Sequence, residues 1–178
     1  MSVLLRLRQY HALLGALVLT AYLTGEWGIV HSWLGYGVAF MIVVRLIFAL
    51  SGAPQLGLFR YYPHFKGLKL GTALSHPAIS RTLLAGIAIC VIGVTATGIG
   101  IDRGHALGMA QVLPAAYADD HGRTSREEHD REAGFLGEVH EVLANLLMMF
   151  VILHVSYLLL FKRPLATFML FLRKPASE

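Results

Sequence analysis

The stretch that decides the fold is Glu138-Val-His-Glu-Val-Leu-Ala-Asn-Leu-Leu-Met-Met-Phe-Val-Ile-Leu-His-Val-Ser-Tyr157, an almost unbroken apolar run with His140 near its start and His154 near its end. On an α-helix, this spacing of fourteen residues corresponds to a rise of about 21 Å and leaves the two rings only about 40° apart in azimuth. Both imidazoles therefore lie on one helix face, one near each surface of a hydrocarbon core about 30 Å thick. Ionisable side chains at membrane depth are costly and usually functional. The stretch predicts a membrane helix whose two histidines each need a partner at their own level.

The composition is that of an integral membrane protein. The chain has 178 residues, of which 56% are hydrophobic and 15% charged, with a mean hydropathy of +0.60. Its apolar residues form blocks long enough to span a bilayer, so we predict one membrane domain over residues 1–178. The single cysteine, Cys90, excludes an internal disulfide and a cysteine-based zinc or iron–sulfur site. The net charge of +4 does not indicate nucleic-acid binding, because the basic residues lie at the ends of the apolar blocks.

The apolar blocks predict an all-α membrane protein with a bundle of four transmembrane helices. The spans cover approximately residues 9–24, 31–50, 79–99 and 135–161. Residues 164–173 are apolar but too short to span, and they predict a short C-terminal interfacial helix. The first block resembles a signal peptide, but three further spans follow and no clear cleavage site does, so we expect a retained signal-anchor.

The charges predict the orientation. The acidic residues concentrate in the connection over residues 102–138, whereas the other connections and both termini are rich in lysine and arginine. The positive-inside rule places both termini in the cytoplasm and the acidic loop outside. We therefore expect a multi-pass membrane protein with both termini on the cytoplasmic side.

Two further histidines lie where the fourth span needs partners. His11 begins the first span at the level of His154, and His31 begins the second at the level of His140. Each is followed four residues later by a glycine, Gly15 and Gly35, on the same helix face. A glycine there leaves space beside the imidazole for a large flat cofactor, although glycine also serves close helix packing.

Two pairs of imidazoles inside a helical membrane bundle fit two haems with two axial histidines each. Iron with both axial positions filled transfers single electrons and has no open site for oxygen. We predict an inner pair, His11–His154, and an outer pair, His31–His140. Guanidinium groups suit haem propionates, and the candidates are Arg8, Arg45 and Arg81.

A lone membrane histidine would be interpreted as an interfacial, hydrogen-bonded residue, but four at matched levels favour ligands. The remaining histidines are expected to be solvated polar residues of the loops, with a weak metal site in the outer loop left open. They are His64 and His76 in the inner loop, and His105, His121 and His129 in the outer loop.

At this point the chain resembles the bacterial membrane-integral di-haem cytochromes b, a superfamily that includes the b-type subunit of nickel–iron hydrogenases and the small cytochromes b561. The resemblance covers most of the chain. It rests on six motifs: Arg8-Gln-Tyr-His11, Thr24-Gly25-Glu26, His31-Ser-Trp-Leu-Gly-Tyr with Arg45-Leu, Ser51-Gly52 with Phe59, Ser75-His76-Pro77, and the pair His140 and His154. After the first histidine, the family often has Trp, and this chain has Ala12 instead.

The resemblance implies ligation of haem b by His11, His31, His140 and His154, and electron exchange with a quinone pool of ubiquinone or menaquinone. Hydrogenase-type members often have an extra span, and the four spans predicted here argue against a hydrogenase partner. The acidic outer loop suits a basic periplasmic partner such as a c-type cytochrome, and a homodimer is plausible from the apolar helix faces. Candidate side chains for quinone chemistry are Glu26, Glu138, Glu141 and His76.

Two other functions fit the same histidines less well. A quinone-linked oxidase of superoxide or another small molecule would place substrate at the outer haem, where the acidic loop is mildly unfavourable. A histidine-based metal permease predicts polar residues at the membrane midplane. The midpoint of the fourth span, Leu146-Leu-Met-Met-Phe150, is apolar.

Overall fold

A computed structural model describes residues 3–50, 77–108 and 124–169 of the chain. These residues form five helices and, within those ranges, no strand. The helices are α1 (Val3–Leu23), α2 (Ile29–Leu50), α3 (Pro77–Asp102), α4 (Thr124–Phe161) and α5 (Arg163–Met169). The prediction of an all-α protein is confirmed for the described part of the chain.

Three of these helices are long and apolar enough to cross a membrane: Ile29–Leu50, Ala78–Asp102 and Gly134–Phe161. They correspond to the predicted second, third and fourth spans, and the chain is a multi-pass membrane protein. The predicted first span lies within α1, which begins earlier than expected. Arg6, Arg8, Gln9 and His11 make the first half of α1 too polar for the same criterion, so a fourth crossing stays a prediction.

Helix α4 is longer than the predicted fourth span. It begins at Thr124 and has 38 residues, so residues 124–138, expected within the outer loop, are helical. The sequence Thr124-Ser-Arg-Glu-Glu128 places a hydroxyl residue three positions before a glutamate, a pattern typical of helix N-termini. The remainder of the loop, 109–123, and the inner loop, 51–76, lie outside the described residues.

A tight connection joins α1 to α2. Thr24 directly follows the last residue of α1, and its hydroxyl donates to the carbonyl of Thr20 at 2.8 Å. The Trp27 amide then donates to the Thr24 carbonyl at 2.8 Å. Gly28 has φ +51°, a backbone conformation that favours glycine. The short turn holds the end of α1 beside the start of α2.

The core lies at the middle of the bundle. Val38 of α2, Cys90 and Val91 of α3, and Leu147 of α4 are buried together, so Cys90 is a small residue of the core. Helices α3 and α4 pack most extensively, α1 packs on α2, and α5 packs on α4. Helices α1 and α4 make few direct backbone approaches, so a seam runs between them.

Apolar side chains also cover the outside of the bundle. Phe40 of α2, Ile89 of α3 and Leu160 of α4 are each about two-thirds exposed at 67%, 69% and 66%. In a bilayer these side chains contact lipid, and every spanning helix satisfies its own backbone hydrogen bonds. Helix α5 confirms a short helix after the last span, and its Ala166 is buried. Residues 170–178 lie outside the described residues.

Candidate functional site

The predicted outer histidines meet. The rings of His31 on α2 and His140 on α4 have centroids 5.9 Å apart and are nearly perpendicular, with an interplanar angle of 85°. Neither helix positions the pair alone. The α1–α2 turn places the start of α2 beside α1, and the packing of α3 on α4 holds the other ring.

Hydrogen bonds determine which nitrogen of each outer ring carries the proton. The His31 Nδ1 lies 2.9 Å from the carbonyl oxygen of Ala21, and because a carbonyl only accepts, Nδ1 donates. The Thr97 hydroxyl donates to the Gly93 carbonyl at 2.9 Å. It therefore accepts from the His140 Nδ1, 3.0 Å away. Both rings keep an Nε2 lone pair for a ligand.

A cavity with about 740 Å³ of empty space surrounds the outer pair. This space includes room that is open to the outside of the bundle, so it is a cleft rather than a closed chamber. Its lining is mostly apolar and comes from α1, α2, α3 and α4; it includes both histidines, Gly35, Gly98, Tyr36 and Asp102.

Glycines keep space beside the outer pair. A Cβ at Gly35 would meet no atom within 4 Å, so the space predicted next to His31 is present. A Cβ at Gly98 would lie 3.1 Å from the Cε1 of His140. Glycine at position 98 thus lets α3 approach the imidazole closely.

The two imidazoles of the outer pair and the cavity beside them fit the predicted haem. Two neutral imidazoles, each with a free Nε2, are the axial ligands of a six-coordinate haem iron. A centroid separation of 5.9 Å leaves room for one metal ion that binds a nitrogen of each ring through bonds of about 2 Å. The largely apolar cavity suits the macrocycle.

The predicted inner histidines lie at the other end of the bundle. His154 on α4 is buried. His11 on α1 is close enough for the charges of the two imidazoles to interact. Among the described residues, the His154 Nδ1 is a buried atom with no hydrogen-bond partner, a costly state that a ligand or water relieves. A Cβ at Gly15 would meet nothing within 4 Å, so the predicted space beside His11 is also present.

The three predicted propionate partners share the inner end of the helices. Arg8 lies one turn before His11 in α1, Arg45 near the end of α2, and Arg81 in the first turns of α3. Arg8 is only 5% exposed, and its guanidinium carbon lies 4.9 Å from the ring centroid of Phe168 in α5. Arg45 and Arg81 are half-buried. Contact with a propionate stays a prediction for all three.

The remaining candidates are not brought together. Glu26, Glu138 and Glu141 are exposed at the end of the bundle that carries His31 and His140, and His105 is exposed in the turn after α3. His64, His76 and His121, and the side chain of His129, lie outside the described residues. Within the described ranges, no group of three or more His, Cys, Asp or Glu side chains is placed to hold a metal ion.

Sequence reasoning missed Thr97, Gly98 and the pair Tyr36–Asp102. The Tyr36 hydroxyl donates to Asp102 at 2.9 Å, and Asp102 also accepts from the Ala106 amide at 3.2 Å. This pair closes the outer rim of the cavity and ties α2 to the turn after α3. The sequence signal for Thr97-Gly98 was a polar and a small residue adjacent within an apolar span.

The comparisons with known proteins agree with this geometry. No curated protein and no solved structure matches the chain significantly. A family model described as prokaryotic cytochrome b561 matches residues 4–171, nearly the whole chain and all four predicted ligands. Two histidine levels, an apolar cavity and several membrane-spanning helices are what such a membrane-bound, haem b-containing electron carrier needs. The chain belongs to the prokaryotic cytochrome b561 family.

Proposed function

We propose that this membrane cytochrome moves single electrons across the bilayer through two haems b, between the quinone pool and a periplasmic redox partner such as a c-type cytochrome. The observation that carries the proposal is the His31–His140 pair, with its 5.9 Å separation and its cavity. Helix α4 carries one histidine of each predicted pair, since His154 follows His140 on the same continuous helix. This arrangement supports a second haem at the other end of the helix.

In this proposal, haem b with two imidazole ligands supplies one-electron transfer without an open coordination position. The chain's own residues do the rest. His31 and His140 hold the outer group, and His11 and His154 the inner one. The Ala21 carbonyl and the Thr97 hydroxyl orient the outer rings and raise their basicity as donors. Gly15 and Gly35 keep room beside each pair.

The proposed topology has four crossings, with both termini in the cytoplasm of a bacterial cell and the protein in its inner membrane. Helix α1 completes the bundle, and its polar first half then lies at the cytoplasmic surface together with α5. The arginines of that end support this orientation through the positive-inside rule. The acidic connection after α3 then faces the periplasm, where it attracts a basic partner.

Electron exchange can be tested on the purified protein in detergent. We expect a short-chain quinol, decylubiquinol, to reduce the haem, and a basic c-type cytochrome to reoxidise it at a rate that falls as salt is raised. The fall follows because screening shortens the reach of surface charges, with a Debye length of about 10 Å at 0.1 M salt. Stopped-flow absorbance in the haem bands measures both steps.

Dithionite provides the control for this experiment, because it reduces haem without a quinone site. Haem that dithionite reduces but excess decylubiquinol leaves oxidised would contradict the link to the quinone pool. A reoxidation rate independent of salt would contradict docking through the acidic connection.

Thr97→Val provides a test of the outer ligand geometry. Valine keeps the shape of threonine and removes the hydroxyl that accepts from His140. Loss of such a supporting hydrogen bond typically weakens metal binding by about 10–100-fold. We therefore expect a haem scavenger, such as an apo-haem protein in excess, to withdraw one of the two haems at least about tenfold faster.

Thr20→Val is the matched control. Thr20 also donates to its own helix backbone, to the Ala16 carbonyl at 2.8 Å, and none of its hydrogen bonds in the described part of the chain joins it to a histidine. Equal rates of haem loss from the two variants would show that the hydroxyl of Thr97 does not support the ligand.

A further inference from the structure

An asparagine lies on the lipid-facing side of the membrane-spanning part of α4. Asn145 is exposed although it lies within the apolar span Gly134–Phe161. Its side-chain oxygen accepts a hydrogen bond of 3.0 Å from the hydroxyl of Tyr22 on α1. Tyr22 itself is 42% exposed. This bond bridges the seam between α1 and α4.

The amide nitrogen of Asn145 is left without a partner among the described residues. An asparagine amide has two N–H donors in addition to its oxygen. In hydrocarbon, a polar group without a hydrogen bond is costly because no water can satisfy it, and polar residues there are usually functional. The site therefore offers donors to an acceptor that reaches it through the bilayer.

The position of the pair connects it to the outer cavity. Tyr22 lines that cavity together with His31 and His140, and Ala144 and Met148 line it on either side of Asn145. Asn145 follows His140 by five residues, a rise of about 7.5 Å along the helix. Helices α1 and α4 make few other direct approaches, so Tyr22 and Asn145 lie at a sparsely packed, exposed edge of the cavity between these two helices.

We propose that Tyr22 and Asn145 bind the headgroup of a membrane quinone at this edge of the cavity, with a quinone carbonyl oxygen accepting from the Asn145 amide. The inference rests on the proposed function and locates its quinone site. An oxidised quinone headgroup presents only acceptors, which matches the spare donors. Its isoprenoid tail stays in lipid beside the exposed apolar side chains of α4, such as Met149 and Ile152.

The test is the affinity of the haem-loaded protein for decylubiquinone, measured by quenching of the fluorescence of its two tryptophans, Trp27 and Trp33. We expect Asn145→Leu to raise Kd about tenfold or more, the effect of losing a hydrogen bond to a desolvated group. Tyr22→Phe is expected to raise it less, because the amide remains. Ser156→Ala is the matched control, an exposed polar residue of the same helix.

Haem content and oligomeric state are measured on the same samples. Asn145→Leu protein that keeps two haems and the wild-type Kd would overturn the quinone site while leaving the proposed function intact. An unchanged Kd together with loss of a dimer would instead assign Asn145 to a contact between two copies of the chain. Wild-type protein without haem would overturn the proposed function itself.

Discussion

His154→Ala is expected to reduce the haem content from two per chain to one. His154 is buried at the inner end of the bundle, and its ring lies within electrostatic range of His11. Alanine removes an axial ligand and leaves one imidazole, which does not retain a six-coordinate haem. The outer pair, about 21 Å away along α4, keeps its own ligands. The measurement is haem per polypeptide together with a reduced-minus-oxidised spectrum.

His140→Ala is the complementary variant and is expected to remove the outer haem alone. The two variants should then retain haems that differ in redox potential, because their surroundings differ. His105→Ala is the control, since His105 is exposed in the turn after α3 and belongs to neither pair. Two haems retained in His154→Ala would remove the inner pair from the proposal. Complete loss of haem from both single variants would contradict two independent levels.

Gly35→Leu is expected to remove the outer haem without a protein clash. A Cβ at position 35 meets no atom within 4 Å, and the residue lines the outer cavity. The Cβ of the new side chain therefore meets no protein atom, and the rest of the leucine takes up cavity space beside His31. Leucine also favours a helix over glycine by up to about 1 kcal/mol, so lower helix stability does not account for a loss. Haem quantification and thermal unfolding, measured together, separate the two effects.

Gly15→Leu is the counterpart for the inner pair, because the space beside His11 is open in the same way. Gly134→Leu is the matched control: it is also an open, helical position, but it lies six residues before His140 on an exposed part of α4. We expect one haem in each of the first two variants and two in the control. A Gly35→Leu protein with two haems and an unchanged spectrum would show that the cavity is not the haem site.

The helices and the levels of the histidines could be read from local sequence. Apolar length identifies the spanning helices, because a bilayer imposes a length on each of them. The helical period places His140 and His154 on one face, because the rise and rotation per residue are constant. The structure confirms the all-helical class, and it brings His31 to His140 as topology predicted.

Other features depended on how the helices sit against one another. The partner of the His140 Nδ1, Thr97, is 43 residues away on α3, and that of His31 is a backbone carbonyl of α1. Such contacts depend on the rotation and depth of each helix, which the apolar pattern of these almost uniformly hydrophobic helices specifies poorly. The extension of α4 to Thr124 was missed because its polar first turns lack the apolar signal of a span.

The sequence by itself determined the all-helical class and the positions of the three spanning helices, and it predicted the level of each histidine, because these follow from length and period along one chain. Only the tertiary structure decided which nitrogen of each outer histidine is free, where α3 approaches His140 at Gly98, and where a hydrogen bond between Tyr22 and Asn145 joins α1 to α4. The reason is physical: hydrogen bonds and close packing act over a few ångströms, between residues whose proximity exists only once the helices have packed.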